Sequence, residues 1–223
     1  MNFNYRKIII AASKIILDLL YHQFAWGYDL VSHIVSLGLW KTWIFNVIPF
    51  IHGNRILEIG QGPGHLQIAL SKLNLDVSGL DSSLCMSKLA HKNMSKSGFS
   101  SKLVQGESQF LPFPDESFDQ IVSTFPSEYI IKDSTIKDLF RVLREEGTLI
   151  ILPTAWITDV KWYFRLADCL FKITGQNPKI DDSWSLPFKD NGFLTQTCII
   201  GLESSKLAII IAKKPTAMRW KKI

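Results

Sequence analysis

The spacing of apolar residues divides the chain into a helical first part and an alternating second part. Residues 5–52 repeat apolar side chains with the period of an amphipathic helix, and no strand-like run precedes Arg55. We expect Gly27 and Gly38 to break this helical part, because glycine is a weak helix former. The pattern therefore predicts an N-terminal helical cap over residues 1–52.

From residue 54 onward, short strand-like runs alternate with helix-like segments. The predicted strands cover residues 54–59, 76–80, 102–105, 118–123, 148–152, 194–202 and 207–213. The predicted helices cover residues 64–73, 84–97, 134–143 and 157–173, with a turn at 145–147. Because strand–helix alternation produces right-handed crossovers, this pattern predicts an α/β fold with a doubly wound, mostly parallel, seven-stranded sheet. The last two strands form an antiparallel hairpin through the polar residues 203–206.

Length and charge set the organisation of the molecule. The chain has 223 residues, of which 47% are apolar, and a formal net charge of +5. We predict a domain at residues 53–215 behind the cap and a basic tail at residues 216–223. The positive charges are scattered, which argues against a nucleic-acid partner and leaves only weak attraction to an anionic membrane surface.

Cysteine usage and hydropathy indicate the compartment. Cys85, Cys169 and Cys198 are far apart in the sequence, which argues against a disulfide framework or a zinc cluster. No uninterrupted apolar stretch is long enough to span a bilayer. We therefore expect a cytoplasmic protein with no metal site, and we leave peripheral membrane contact open.

A glycine-rich loop follows the first predicted strand. Glycine occupies positions 60, 62 and 64, Glu58 precedes the loop, and Asp81 ends the second predicted strand. Such a loop lets the backbone approach a ligand closely, and the helix behind it offers unpaired N–H groups. An acidic residue about 20 positions after the first glycine is typical of a ribose contact. The arrangement predicts a nucleoside-containing cofactor.

Two other cofactor loops fit less well. The phosphate-binding Walker loop needs Gly-Lys-Ser/Thr, and Gly64 is followed by His65 and Leu66. The dinucleotide loop needs a third glycine where His65 stands, which counts against an NAD(P)-dependent oxidoreductase but keeps it as an alternative.

Four ordered segments resemble one enzyme family. Glu58-Ile59-Gly60-Gln61-Gly62-Pro63-Gly64 resembles the first motif of class I S-adenosylmethionine (SAM)-dependent methyltransferases, which have a Rossmann-like fold. The further matching segments are residues 79–86, 106–119 and 141–149, the last two similar to the type 11 subgroup that includes ubiquinone/menaquinone-biosynthesis methyltransferases.

The resemblance implies SAM as the cofactor and a set of residues that bind it. These residues are Glu58, Gly60, Gln61, Gly62, Gly64, Asp81, Ser82, Met86, Glu107, Ser108 and Phe125. In the roles that the family implies, Glu58 orders the loop, Asp81 holds the ribose and Met86 packs on the adenine. Glu107 departs from the family, which usually has Asp at this position.

The acceptor is expected beside residues 124–129, at the end of the fourth strand. This segment lacks the Asn/Asp-Pro-Pro-aromatic motif of nucleic-acid amino-methyltransferases, and the dense aromatics of the cap suit a lid over a small hydrophobic acceptor. A general base is needed only if the acceptor must lose a proton. Weak candidates for that role are Glu128, Tyr129, Tyr28, His22 and His65.

A non-catalytic SAM-binding protein at a membrane surface is the alternative, and the oligomeric state and the acceptor atom stay open.

Overall fold

The structure is a computed structural model that describes residues 25–158 and 184–216. Its helices in these ranges are α1 (Ala25–Val35), α2 (Trp40–Phe45), α3 (His65–Lys72), α4 (Leu84–Lys96), α5 (Asp133–Val142) and α6 (Leu186–Asp190). Its strands are β1 (Arg55–Ile59), β2 (Asp76–Asp81), β3 (Lys102–Gln105), β4 (Phe118–Thr124), β5 (Leu143–Ile157), β6 (Leu194–Gly201) and β7 (Ser205–Lys213). Within the described ranges, no helix is long and apolar enough to cross a membrane.

The strands form one sheet in the order β3-β2-β1-β4-β5-β7-β6. The first five strands run parallel, and β7 pairs antiparallel with both β5 and β6. The predicted doubly wound sheet with an antiparallel hairpin is confirmed. Strand order reverses between β1 and β4, so their C-terminal ends border the crevice in which such folds bind ligands.

Alternating strand residues bury both faces of the sheet. On β4, Ile121 packs toward α5 and α6, whereas Val122 packs toward α2 and α3. On β1, Leu57 and Ile56 divide between the same two clusters. Strands that are apolar on both faces need helices on both sides, and this explains why the sheet is covered twice.

The helix α4 has clear end signals in the sequence. The Ser83 hydroxyl accepts a hydrogen bond from the Met86 N–H at 3.2 Å, which caps the first turn. Gly98 follows the helix with φ +81°, the left-handed conformation that ends many helices. These two residues explain why the predicted bounds of this helix lie within one residue of those observed.

Strand β5 is longer than predicted at both ends. Ile157, expected to start a helix, pairs with Ser205 of β7 because the hairpin is long enough to extend the ladder. Thr158 is not helical either, since its N–H donates to the Ser204 carbonyl at 2.9 Å, and residues 159–173 of that predicted helix lie outside the described residues. Residues 145–147, expected as a turn, lie inside β5.

The irregular start of β5 has a tertiary cause. Leu143 pairs with Phe118 and the next pairing is Thr148 with Gln120, so the intervening residues bulge from the ladder. The Lys214 N–H donates to the Gly147 carbonyl at 2.9 Å, and Lys214 accepts from the Glu146 N–H at 3.1 Å. Contacts from Lys214, which follows β7, therefore hold this bulge in place, and Glu146 within it has a turn-like φ angle of +63°.

The helical part before the sheet differs from the prediction at one glycine. Helix α1 runs through Gly27, since a single glycine costs only about 1 kcal/mol in a helix. The predicted break at Gly38 is confirmed, with φ +83° after α1. Residues 1–24 of the predicted cap lie outside the described residues. Helix α6 was not predicted; its five residues bury Phe188.

Candidate cofactor-binding site

The glycine loop joins β1 to α3. Gly60, Gly62 and Gly64 all have positive φ angles, between +51° and +82°. The Gly60 N–H donates to the Leu80 carbonyl of β2 at 2.8 Å, which ties the loop to the neighbouring strand. At Gly62, the space that a Cβ atom would take has no protein atom within 4 Å. The backbone of the loop is therefore open to a ligand on this side.

Asp81 ends β2 beside the loop and is buried. One carboxylate oxygen accepts from the Gly62 N–H and the other from the Ser83 N–H, each at 2.9 Å. Asp81 therefore holds the glycine loop against the end of β2.

Glu58 lies on β1, two residues before Gly60 of the loop, and is only 2% exposed. The Gln67 side-chain amide of α3 donates to its carboxylate at 2.9 Å. Burial, with a smaller contribution from the nearby Asp81 carboxylate, raises the pKa of Glu58 to about 8. A cationic ligand group beside Glu58 would favour its charged form.

A small cleft lies next to the loop. Residues of the β1 side that line it are Glu58, Gly60, Gln61, Gly62, Pro63, His65 and Leu66. Trp40 and Ile44 of α2 and Thr124 at the end of β4 complete the lining. The cleft therefore lies at the predicted reversal of strand order, and α2 forms part of its wall.

Two contacts attach the cap helices to this region. The Trp40 ring stacks on Phe125, with 4.3 Å between centroids and 23° between planes. Asp29 of α1 lies 2.8 Å from His65 Nε2, at the first residue of α3. The hydrogen bond from His65 is the main reason that the pKa of Asp29 lies below its usual value. Aromatic and polar contacts thus connect the helices before the sheet to the glycine loop and to the end of β4.

The resemblance assigned four further residues to the cofactor, and these follow the C-terminal ends of β2 and β3. Ser82 and Glu107 are exposed, whereas Met86 is fully buried in the first turn of α4. The buried Ser108 hydroxyl lies 3.3 Å from that of Thr135 on α5. None of these four lines the cleft beside the glycine loop.

The candidate general bases occupy different places. The Tyr129 hydroxyl lies 2.8 Å from the point where a Cβ on Gly60 would stand, so it contacts the glycine loop. Glu128 is exposed at the start of a short 3₁₀ turn. Tyr28 lies within α1 but its side chain is outside the described part, as is the whole of His22.

Two residues without a predicted role contribute to the site. Gln67 supports Glu58, and Asp29 holds His65. For Gln67 a signal was present, because it is a polar residue between the apolar positions Leu66 and Leu70 of an amphipathic helix. For Asp29 no local pattern distinguishes it from other polar residues of the cap.

Comparison with known proteins identifies the family. Residues 56–147 match the family described as a methyltransferase domain. A demethylmenaquinone methyltransferase from Lactobacillus johnsonii is 31% identical over 193 residues, which cover 80% of this chain and 78% of that protein. A ubiquinone/menaquinone biosynthesis C-methyltransferase from Blochmanniella floridana is 25% identical over 195 residues, covering 80% of this chain and 76% of that protein.

The fold agrees with these relatives. A candidate S-adenosyl-L-methionine-dependent methyltransferase from Methanococcus maripaludis superposes with a TM-score of 0.63 at 21% identity, covering 86% of this chain and 93% of that one. With its sheet order, its glycine loop and these similarities, the chain belongs to the class I SAM-dependent methyltransferases.

Proposed function

We propose that this enzyme transfers the methyl group of SAM to a small, hydrophobic, quinone-like acceptor. Two relatives support this acceptor class by their names, a ubiquinone/menaquinone biosynthesis C-methyltransferase and a demethylmenaquinone methyltransferase. The observation that carries the proposal is the cleft itself. It places the glycine loop and the buried Glu58 beside Trp40, an aromatic side chain of the cap.

The residues present fit SAM. SAM supplies a methyl group on a sulfonium cation, together with an α-amino group and a ribose. Glu58 lines the cleft and would face the cationic part, where Coulomb attraction favours its ionised form. Asp81 would accept hydrogen bonds from the ribose hydroxyls, and the open side of Gly62 would lie against the amino-acid part.

We propose that Ser82, Glu107 and Ser108 surround the adenine edge, and that Gln61 and Gly64 shape the loop. Gly64 has φ +82°, and a Cβ there would stand 3.0 Å from the Ala90 Cβ, so it allows α3 and α4 to pack closely. Met86 packs within the protein in this structure, which supports a role as the floor of that region.

Alignment is the main task of the acceptor side. Methyl transfer is an in-line displacement, so holding the acceptor in one orientation and excluding water supply most of the acceleration. We propose residues 1–52 as the cap that does this, and α1 and α2 support it through their contacts to His65 and Phe125. Tyr129 would position the acceptor or take its proton, because its hydroxyl lies against the glycine loop.

Peripheral membrane contact is a further proposal about this cap. Leu30, Ile34 and Leu37 are 60%, 55% and 38% exposed, and their spacing places them along one side of α1 and its end. An exposed apolar stripe near Lys41 suits the surface of an anionic bilayer. Co-sedimentation with vesicles containing phosphatidylglycerol should fall when Leu30 and Ile34 are both changed to Ser.

The test of methyl transfer uses SAM with a labelled methyl group. We expect label on 1,4-dihydroxynaphthalene, a planar diol without a ring methyl group, and none on a purine nucleoside offered as a control. Asp81→Ala should weaken SAM binding roughly 10- to 100-fold in calorimetry, the range for a lost charge-assisted hydrogen bond. The exposed Asp190→Ala is the matched control and should bind SAM like the wild type.

The outcomes separate the alternatives. Binding of SAM without transfer to any small acceptor would favour a non-catalytic SAM-binding protein. Absence of SAM binding together with quenching of NADH fluorescence would instead favour the dinucleotide alternative.

A further inference from the structure

The exposed side of α4 carries a row of three lysines. Lys88, Lys92 and Lys96 follow one another at intervals of four residues, so they lie along one side of the helix, and all three are exposed. The helix contains no aspartate or glutamate. Within the part of the chain that the structure describes, none of the three lysines forms an ion pair. We call this row the lysine face of α4.

The lysine face does not serve the stability of the helix. Like charges four residues apart on a helix repel one another, and the stabilising arrangement has an acid at one of the two positions. Helix α5 shows that arrangement, since Lys137 lies 2.7 Å from Asp133. On α4 the repulsion is not relieved within the helix, so the row needs another explanation.

The neighbouring elements do not neutralise the lysine face. The elements that pack on α4 include α1, α3, β2 and β3. Their acids are Asp29, Asp76 and Asp81. Asp29 and Asp76 pair with other side chains, and Asp81 is buried. The positive charge of the face is therefore available to an anionic partner outside the chain.

Exposed apolar side chains adjoin the lysine face. Leu84 lies four residues before Lys88 on the same side of α4, and it is 47% exposed. Phe110, in the loop after β3, is 82% exposed, the largest fraction among the large apolar residues of the described ranges. The Gln105 side chain at the end of β3 donates to the Ser82 carbonyl at 3.3 Å. The segments that lead to Leu84 and to Phe110 therefore leave the sheet side by side.

This combination is typical of a surface that rests on an anionic bilayer. Lysine ammonium groups attract the headgroups of anionic lipids, while exposed leucine and phenylalanine side chains enter the boundary with the acyl chains. A nucleic acid also attracts lysines, but its phosphate backbone offers no apolar layer for Leu84. The apolar neighbours thus favour a lipid surface as the partner.

We infer that the lysine face, with Leu84 and Phe110 beside it, docks this protein on a bilayer that contains anionic lipids. Leu84 and Phe110 follow the C-terminal ends of β2 and β3, the same edge of the sheet at which the glycine loop follows β1. Docking through this edge brings the cofactor site to the lipid phase in which a hydrophobic acceptor dissolves. The inference rests on the proposed function, because it names the lipid partner of the proposed membrane contact and a second surface for it.

Co-sedimentation of the full chain with vesicles tests the inference. The vesicles contain phosphatidylcholine alone or an equal mixture of phosphatidylcholine and phosphatidylglycerol. The triple variant Lys88→Gln/Lys92→Gln/Lys96→Gln should lower the partition coefficient on the mixed vesicles about 10- to 100-fold, since each lysine near an anionic surface contributes to binding. High salt should weaken wild-type binding in the same way. Phe110→Ser should weaken binding while keeping this dependence on salt.

A second triple variant is the matched control. Lys132→Gln/Lys189→Gln/Lys206→Gln makes the same change in net charge at three exposed lysines that form no ion pair within the described ranges. It should lose far less vesicle binding than the α4 variant. Both triple variants should bind S-adenosylhomocysteine like the wild type in calorimetry, which shows that they are folded with the cofactor site intact.

The outcomes separate the inference from the proposals on which it rests. Equal losses in the two triple variants would show that net charge alone attracts the protein, and this would overturn the inference alone. Wild-type binding to an RNA or DNA oligonucleotide that depends on the lysine face, with vesicle binding unchanged in the α4 variant, would overturn it in favour of a nucleic-acid partner. Absence of wild-type binding to the mixed vesicles would contradict the proposed membrane contact and the inference together, while methyl transfer is tested separately.

Discussion

At the scale of single residues, the buried Glu58 makes folding stability depend on pH. Its pKa is about 8 in the folded protein against 4.5 for an ordinary glutamate, so the folded state holds a proton that the unfolded chain releases between these values. Stability from this group is complete below pH 4.5 and is lost as the pH rises toward 8. The loss is of the order of a few kcal/mol, and Glu58→Gln should remove it.

Thermal unfolding between pH 5 and 8 measures this effect. The wild type should lose stability over the range more steeply than Glu58→Gln, while the exposed Glu203→Gln should follow the wild type. Parallel curves for the wild type and Glu58→Gln would show that Glu58 is ionised in the folded protein without ligand.

Gly60 and Gly98 separate backbone strain from loss of the site. Both have positive φ angles, +74° and +81°, so alanine at either position costs about 1 kcal/mol or more. Only at Gly60 would the new Cβ also meet an atom, the Tyr129 hydroxyl at 2.8 Å. Gly60→Ala should lower SAM affinity at least tenfold in calorimetry, whereas Gly98→Ala should lose stability and keep SAM affinity. Equal SAM affinities for the two variants would contradict the place given to the loop.

The residues that could be predicted from the sequence are those whose backbone chemistry is local. The glycine loop and Asp81 can be recognised in the sequence because turns and strand ends need particular residue types at short spacing. Gln67 could be singled out as a polar position of α3 but not given a partner, and Asp29 could not be singled out at all. Their partners, Glu58 and His65, meet them only after the chain has folded.

At the scale of elements, one hydrogen bond should decide how firmly α2 is attached. Ser205→Ala removes the hydroxyl acceptor of the buried Trp43 N–H, and we expect a loss of about 1–3 kcal/mol in the free energy of unfolding. Chemical denaturation measures this loss, with Ser204→Ala on the same hairpin as the control. If both variants unfold at the same denaturant concentration as the wild type, the bond does not anchor the helix.

Element bounds followed the sequence where capping residues mark them and failed where tertiary pairing decides them. Ser83 and Gly98 delimit α4 closely. The extension of β5 to Ile157 depends on β7, and no pattern within the segment distinguishes that strand from a helix start. Helix α6 is too short to show a period and is stabilised by burying Phe188.

At the scale of the whole molecule, cofactor binding should stabilise the fold. A ligand that binds only the folded state adds about 2.7 kcal/mol at a concentration 100 times its Kd. For a chain of 223 residues this corresponds to a rise in Tm of about 5 to 10 °C. SAM should produce this rise and NADH should not. A rise with NADH alone would overturn the cofactor assignment.

The overall topology was the most predictable level, because strand–helix alternation allows few arrangements of a parallel sheet. The parallel pairing of β1 to β5 and the antiparallel pairing of β7 agree with that expectation. The attachment of α1 and α2 to the site was not predictable in detail, since it depends on pairs such as Trp40 with Phe125 and Trp43 with Ser205.

The place of β7 affects how the protein is made on the ribosome. This strand lies between β5 and β6, although it is synthesised after both. At roughly 5–20 residues per second, several seconds pass between the emergence of Ile157 and that of Lys213. Throughout that interval β5 lacks β7, the strand with which it pairs in the folded protein, and its backbone N–H and C=O groups can pair with another nascent chain. Premature termination in this interval would therefore release a fragment that can aggregate through the unpaired edge of β5. In the complete chain, chaperones would need to shield β5 until β7 pairs with it.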